Sequence, residues 1–333
     1  MFKVAINGLG RIGRATLKIL LDNPELDLVA VNDLVEPENL AYMLKFDSVY
    51  GRYEKSVEIQ GDSLIIQGKK IPVFNSRDPS ELPWGKLGVD TVFECTGKLT
   101  KKEGLQKHIN AGARSVILST TSKEDEVGTV VVGVNTADPQ SKFISCASCT
   151  TNSITPAVEI MGRRIGIEKA ILTTIHAYTS TQHIVDSPSK KFRRGRAGAA
   201  NIVPTTTGAA IATTRALPQY KGKFDGIAVR VPVPDGSLSD ITFITSRPTS
   251  VEEIRKIFRE EASGSRYKGI LRVTDDPIVS SDIIKDPHAS IVDLEMIQVV
   301  DGNLVKVMSW YDNEWGYANQ MVKEALNLSN ARK

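Results

Sequence analysis

The sequence predicts an α/β domain built on a doubly wound, mostly parallel sheet, followed by an α+β domain with a mostly antiparallel sheet. The chain opens with a short apolar strand, a glycine-rich turn and an amphipathic helix. Short apolar strand candidates then alternate with polar or helical stretches as far as residue 148, the rhythm of a parallel sheet. Beyond residue 149 the strand candidates lengthen and crowd together. The expected domains are residues 1–148 and 149–314, with a closing helix near 315–330 that packs back on the first.

Taken in order, Val4-Ala5-Ile6 reads as a buried strand, and Ile12, Thr16, Ile19 and Leu20 share one helical face after the turn Gly8-Leu9-Gly10-Arg11-Ile12-Gly13. The strand Leu26 to Val31 ends at Asn32-Asp33, which places an acid twenty residues past Gly13. A glycine string alone arises in many turns. With strand, turn, helix, strand and terminal acid all in place, the unit reads as a Rossmann dinucleotide site. Gly8 and Gly10 let the backbone approach a pyrophosphate, Gly13 permits close helix–sheet contact, and Asp33 accepts from an adenosine ribose hydroxyl. That acid also repels a 2′-phosphate, so NAD is preferred over NADP. Further strands are expected at 90–93, 115–118, 130–134 and 143–145.

Cys149 follows the short strand Phe143-Ile144-Ser145, while Ile154, Val158 and Met161 recur at helical spacing beyond it. The thiol therefore falls at a helix start, where unpaired amides and the helix dipole favour thiolate. The ordinary alternative, a small buried hydrophobe, fits poorly beside Ser148, Thr150, Thr151 and Asn152. It fits Cys146 better. His176 ends the apolar run Ala170 to Ile175, a strand able to deliver an imidazole to the same cleft, and a Cys–His pair is the usual activated sulfur. His108, His183 and His288 lack a motif and read as surface residues. Longer strands are expected at 227–233, 239–246, 290–300 and 304–310, with helices at 150–165, 208–217 and 250–262.

Composition narrows the function classes. The 333 residues, 41% hydrophobic and 24% charged, suit an ordinary globular protein of two domains. A balance of 42 basic to 39 acidic residues, net +3, demands neither nucleic acid nor an anionic membrane. No window approaches a membrane span, and no metal site is expected. Three cysteines form no disulfide framework, and a nucleophilic thiol needs a reducing compartment, so a cytoplasmic location is expected. The basic run Lys190 to Arg196 has no aromatic platform and supports only weak, salt-sensitive contact with nucleic acid. Arg230, alone between Val229 and Val231 in an apolar strand, needs an anion, either a carboxylate of the chain or a ligand. Pro204 to Ala210 offers hydroxyls and an amide at a helix start, a second anion-ready element.

These residues together resemble one family, the phosphorylating glyceraldehyde-3-phosphate dehydrogenases. The likeness runs through Asn7 to Arg14, Lys45 to Gly51, Ala147 to Asn152, Pro204 to Ala210, Arg230-Val231-Pro232 and Ser309 to Glu314. It implies an NAD domain plus a catalytic domain in a homotetramer. It also implies Cys149 as nucleophile toward D-glyceraldehyde 3-phosphate and His176 as base, with inorganic phosphate cleaving the thioacyl enzyme to 1,3-bisphosphoglycerate. By the same resemblance Thr179 and Arg230 hold the substrate phosphate, while Ser148, Thr150, Arg194, Thr207 and Gly208 hold the attacking phosphate. Arg11, Ile12, Asp33, Arg77 and Ser119 surround the dinucleotide, and Asn313 holds the nicotinamide carboxamide. The basic run becomes part of a loop near a neighbouring subunit's cofactor.

The sequence departs from the family pattern at Cys146 (usually Asn), Ser153 (usually a second cysteine), Ser180 (frequently Asn) and Thr120-Thr121 (frequently Ala-Pro). Ser187 replaces a leucine often seen in NAD-specific members, which leaves NADP possible. Erythrose-4-phosphate dehydrogenase shares the cysteine string, but Thr205-Thr206-Thr207-Gly208 favours the glyceraldehyde phosphate reading. A dinucleotide-responsive RNA-binding protein is the alternative from another class, and the intact Cys149, His176 and Arg230 weigh against it.

Overall fold

The strand Phe2–Asn7 lies at the middle of a nine-stranded sheet whose order, by residue number, is 128–129, 143–145, 115–118, 91–94, 2–7, 26–32, 69–74, 63–66 and 57–59. Its pairings from 128–129 across to 69–74 are parallel, and only the outer strands at 57–59 and 63–66 run antiparallel. Val4, Ala5 and Ile6 are fully buried, as a strand covered on both faces requires. The computed structural model describes residues 1–332. It divides into two compact units, the first comprising residues 1–130, 136–147 and those from Ala318 onward, the second residues 131–135 and 148–317.

In the first unit the helix Arg11–Leu21 follows the glycine turn directly, with Gly10 at its N-cap and its apolar face toward the sheet. The strand expected at 130–134 is a correction: the strand is Gly128–Thr129, Val130 N–H adds one bond to Ser145 O at 2.8 Å, and Val131 to Asn135 form a turn closed by Asn135 N–H donating to Val131 O. Val131 and Val132 are buried there without a ladder, so apolarity marked burial and not strand. The helices Pro37–Lys45 and Lys102–Asn110, and the strands from Val57 to Phe74, are further elements of this unit.

The second unit carries a seven-stranded sheet in the order 203–206, 224–231, 167–177, 237–245, 304–311, 290–300 and 271–274. Four of its six pairings are antiparallel, and the pairs of 167–177 with 224–231 and of 271–274 with 290–300 are parallel. The helix Cys149–Arg164 buries Ile154, Ala157, Val158 and Met161 against this sheet, together with Leu172, Ile241, Phe243 and Val307. Because Ile154, Val158 and Met161 share one face, packing that face fixes where the helix starts, and so where Cys149 stands.

A second correction concerns His108. It is fully buried, not superficial. Trp84 Nε1–H, which can only donate, lies 3.0 Å from His108 Nδ1, so the ring proton sits on Nε2 and is donated to Glu94 Oε2 at 3.0 Å. Asn7 Nδ2 donates to the same carboxylate oxygen at 2.6 Å. This buried network ties the end of the first strand to the strand Thr91–Glu94 and the helix Lys102–Asn110. His183 is exposed, and His288 is half-buried with Nδ1 2.8 Å from Asp286 Oδ1.

Candidate active site

In the first unit the glycine turn is packed too closely for side chains. Gly8 has φ +93°, and a Cβ at Gly13 would stand 1.9 Å from Gly8 O. At Gly10, by contrast, a Cβ would meet nothing within 4 Å, so the turn is open on that side. The first helical hydrogen bond runs from Arg14 N–H to Gly10 O, which leaves the amides of Arg11, Ile12 and Gly13 before it, at the positive end of the helix. Such a turn can receive a phosphate. Asp33 accepts from Leu9 N–H through Oδ2 and from Val35 N–H through Oδ1, so it braces the glycine turn as well as ending its strand. The Arg11 guanidinium pairs with Asp47 at 2.6 Å and lies over the Tyr50 ring. Arg77 is exposed, and half-buried Ser119 lies beside Cys95.

In the second unit Cys149 is the first residue of the helix Cys149–Arg164, behind the N-cap Ser148, whose Oγ accepts from Thr151 N–H at 3.2 Å. His176 lies near the end of the strand Ile167–Ala177, and its Nε2 stands 3.4 Å from Cys149 Sγ. Arg230 is the residue opposite His176 in the neighbouring parallel strand, so the two side chains share a face of the sheet. Arg230 Nη1 is 2.6 Å from His176 Nδ1 and donates to Ala177 O at 2.9 Å. Among the described residues no carboxylate hydrogen-bonds this guanidinium, and its buried Nε has no hydrogen-bond partner.

Burial raises the pKa of the Cys149 thiol, against the opposing pull of the Arg230 charge and the Thr150 amide. Burial, with Arg230 second, pushes the His176 imidazole down to about 3. Burial thus opposes the charged form of both members of the pair, and the Arg230 charge favours the thiolate. Arg194 lies near enough that Arg230 lowers its pKa after the larger effect of burial, so two cations converge here.

The remaining expected residues cluster by their hydroxyls. Arg194 Nε donates to Thr205 Oγ1 at 3.0 Å and Nη1 to Thr181 Oγ1 at 3.3 Å, while Thr179 Oγ1 is 2.9 Å from Thr181 Oγ1. Thr207 Oγ1 accepts from Ala209 N–H at 3.1 Å, at the start of the helix Ala209–Ala216, whose N-cap is Gly208. Asn313 is buried, with Oδ1 accepting from Ser237 Oγ at 2.6 Å, and Ser237 Oγ accepts from Ala177 N–H. In the basic run Arg196 pairs with Asp186, and Lys191 donates to Thr206.

Three contributors had no role assigned from sequence. Tyr311 OH is 2.9 Å from Thr150 Oγ1 and 2.8 Å from Thr174 Oγ1, and its ring meets the His176 ring edge-on at 5.9 Å. Thr174 lies two residues before His176 on the same face, and Tyr311 directly precedes Asp312-Asn313. That adjacency was the available signal. Ser153, standing where the family usually has a cysteine, shares a hydrogen bond with Ser309 at 3.1 Å.

Comparison with known proteins agrees along the chain. Residues 2–102 match the model of the glyceraldehyde 3-phosphate dehydrogenase NAD binding domain, and residues 148–313 match that of its C-terminal domain. Glyceraldehyde-3-phosphate dehydrogenase 1 of a Nostoc species is 48% identical over 331 residues, covering 98% of this chain and 96% of that protein. The glyceraldehyde-3-phosphate dehydrogenases of Zymomonas mobilis and Geobacillus stearothermophilus are 45% and 44% identical, each alignment covering 98% of both chains. This chain belongs to the glyceraldehyde-3-phosphate dehydrogenase family.

Proposed function

We propose that this protein oxidises D-glyceraldehyde 3-phosphate and phosphorylates the product to 1,3-bisphosphoglycerate, with NAD as hydride acceptor. The carrying observation is the thiol of Cys149 at a helix N-terminus, 3.4 Å from His176 Nε2 and beside an arginine whose buried Nε lacks a partner. Cys149 sulfur adds to the aldehyde carbon, forming a C–S bond and a hemithioacetal. His176 takes the hydroxyl proton of that adduct at Nε2 as the C–H hydride departs, leaving a thioester. Bound NAD supplies the hydride acceptor. An oxygen of inorganic phosphate then attacks the thioester carbonyl, and the C–S bond breaks to release the acyl phosphate and return the thiolate.

The residues fit these ligands. The open side of Gly10, the amides at the helix start and Asp33 suit a dinucleotide with a free 2′-hydroxyl. Arg230 and Thr179 are proposed to hold the substrate phosphate. Ser148, Thr150, Arg194, Thr207 and Gly208 are proposed to hold the incoming one. Asn313, fixed through Ser237, is proposed to orient the nicotinamide carboxamide.

The assembly is proposed to be a homotetramer in the cytoplasm. Ile184, Val185, Phe192 and Ile202 project largely into solvent, Phe192 at 89% exposure, which is the apolar surface a second copy would cover. Three free cysteines suit a reducing compartment. A burst experiment tests the catalytic reading: without inorganic phosphate, NADH formation stops at about one equivalent per Cys149, and phosphate restores steady turnover.

A further inference from the structure

Glu324 puts a carboxyl among the buried residues of the helix Trp315–Ala331, in the company of Met321, Ala325 and Leu328, and is itself 2% exposed. Among the described residues its only hydrogen bond comes from Asn327 Nδ2 to Oε2, long at 3.3 Å, and no lysine or arginine pairs with it. Arg332, just past the helix, is engaged elsewhere: Nε donates to Pro139 O at 2.8 Å, Nη1 to Ser115 Oγ at 2.9 Å and Nη2 to Ser141 O at 3.3 Å. Burial pushes the Glu324 pKa up to about 7, with the Asn327 bond opposing. Its titratable neighbour is the Cys146 thiol, just past the strand Phe143–Ser145, whose own pKa is raised first by burial and then by the Glu324 charge. A buried carboxylate is stable only when paired, and this one has no cation of the chain to pair with.

The carboxyl lines a cavity of about 480 Å³ within the first unit. Glu324 and Leu328 are its buried lining, Thr136 and Pro139 bound it from the loop before Phe143–Ser145, and Asn327 and Ala331 stand at its exposed rim. Residues 324, 327, 328 and 331 follow helical spacing, so one face of the helix builds this wall. The volume is that of a small-molecule site. Its walls join apolar side chains, Leu328, Ala331 and Pro139, to a single carboxyl, and they lie along the last turns of the helix, where the backbone dipole is negative. Both features favour a cation. A hard divalent ion takes six or more oxygen ligands, and no group of three His, Cys, Asp or Glu able to hold a metal exists among the described residues. An ammonium on an aliphatic body fits instead, its N–H groups donating to the carboxylate and its methylenes covering the apolar wall.

We propose that this cavity binds a small primary alkylammonium ion, with Glu324 as its counter-ion. Pairing needs the carboxylate, so below pH 7 the incoming cation displaces a proton from Glu324 to water. Affinity therefore rises as pH rises toward 7 and levels off above it, until the amine loses its own proton near pH ~10. The bound ion supplies the partner that the carboxylate lacks, and it stabilises the fold most at the alkaline pH where an unpaired Glu324 is least favourable. The site is separate from the Cys149–His176 pair, and the inference does not rest on the proposed reaction.

The test is isothermal titration calorimetry of the full-length protein with n-butylammonium chloride, against sodium chloride at the same ionic strength. The wild type should bind one ion per chain at pH 8 and bind it about tenfold more weakly at pH 6. At pH 6 binding should release most of one proton, read from the dependence of the heat on the ionisation enthalpy of the buffer. Glu324→Gln keeps the shape of the side chain without its charge and should weaken binding at pH 8 at least about tenfold. Ala331→Phe, which fills the cavity from its rim, should weaken it with Glu324 intact. No binding by the wild type at pH 8, an affinity equal at pH 6 and pH 8, or wild-type affinity in either folded variant overturns the proposal. The proton release of the wild type decides it alone where a variant fails to fold, since binding without release at pH 6 would place the cation away from Glu324.

Discussion

The hydroxyl of Tyr311 lies 2.9 Å from Thr150 Oγ1, and through it the strand Leu304–Tyr311 holds the first turn of the helix that begins at Cys149. The same hydroxyl reaches Thr174 at 2.8 Å, two residues before His176 in its strand. One buried phenol thus spans both supports of the Cys–His pair. Tyr311→Phe removes both hydrogen bonds and leaves two hydroxyls to re-pair. It should cost about 1–2 kcal/mol in denaturant unfolding and lower kcat about tenfold with little change in KM. A variant with wild-type kcat would show that the pair is positioned without Tyr311.

Two buried groups should give stability opposite dependences on pH. His176 is pushed down to about 3 in the folded state by burial and then by Arg230, against an ordinary value of 6.5, so below pH 6.5 the unfolded chain binds the extra proton and stability falls as pH falls toward 3. Glu324, which is 2% exposed, is pushed up by burial to about 7 from an ordinary 4.5. Between 4.5 and 7 the folded state binds the extra proton, and stability falls as pH rises through that range. Glu324→Gln should abolish the second slope and stabilise the protein at pH 8 by up to about 3 kcal/mol. Urea unfolding at pH 5 and pH 8 reads this directly: an equal effect of the substitution at both pH values would contradict a carboxyl held neutral.

Asp33 should set the cofactor preference. Its carboxylate braces the glycine turn through Leu9 N–H and ends its strand where a ribose would lie. Asp33→Ala removes the charge that repels a 2′-phosphate, so kcat/KM with NADP should rise severalfold or more. With NAD it should fall about tenfold, because both the proposed ribose contact and the brace are lost. Initial rates with each dinucleotide check the ratio. An unaltered ratio would move specificity to another residue, with exposed Ser187 the next to exchange for leucine.

His108→Leu tests the buried network of the first unit. The substitution leaves Trp84 Nε1 without its acceptor and the fully buried Glu94 carboxylate without one of its donors. The expected loss is about 2–5 kcal/mol, from a buried indole N–H left without an acceptor and a lost hydrogen bond to a buried carboxyl group. Thermal unfolding measures it, and a loss below about 1 kcal/mol would indicate that the remaining donors to Glu94 suffice.

What could be read in the sequence followed from periodicity and from residues out of place. The amphipathic helix after the glycine turn, the helix beginning at Cys149 and the long strands from residue 290 to 311 each had an apolar pattern, and each is present. Val130 to Val134 carried the same apolar signal but forms a buried turn, because burial and strand pairing are separate properties that composition does not distinguish. His108 carried no local signal at all. Its partners Trp84 and Glu94 are 24 and 14 residues away, and only the sheet brings them together. The pairing of Arg230 with His176 was likewise invisible, since it depends on the register of two parallel strands 54 residues apart. Arg230 still stood out as a lone cation in an apolar strand, which led to the expectation of an anion there.

The most direct test of the central claim is mass spectrometry of the enzyme quenched after mixing with glyceraldehyde 3-phosphate and NAD in the absence of inorganic phosphate. The account predicts a 3-phosphoglyceroyl adduct on the peptide containing Cys149, located at that sulfur by fragmentation, absent from Cys149→Ser and discharged on adding phosphate. An adduct on Cys95 or Cys146, or steady phosphate-dependent NADH formation by Cys149→Ser, would contradict it.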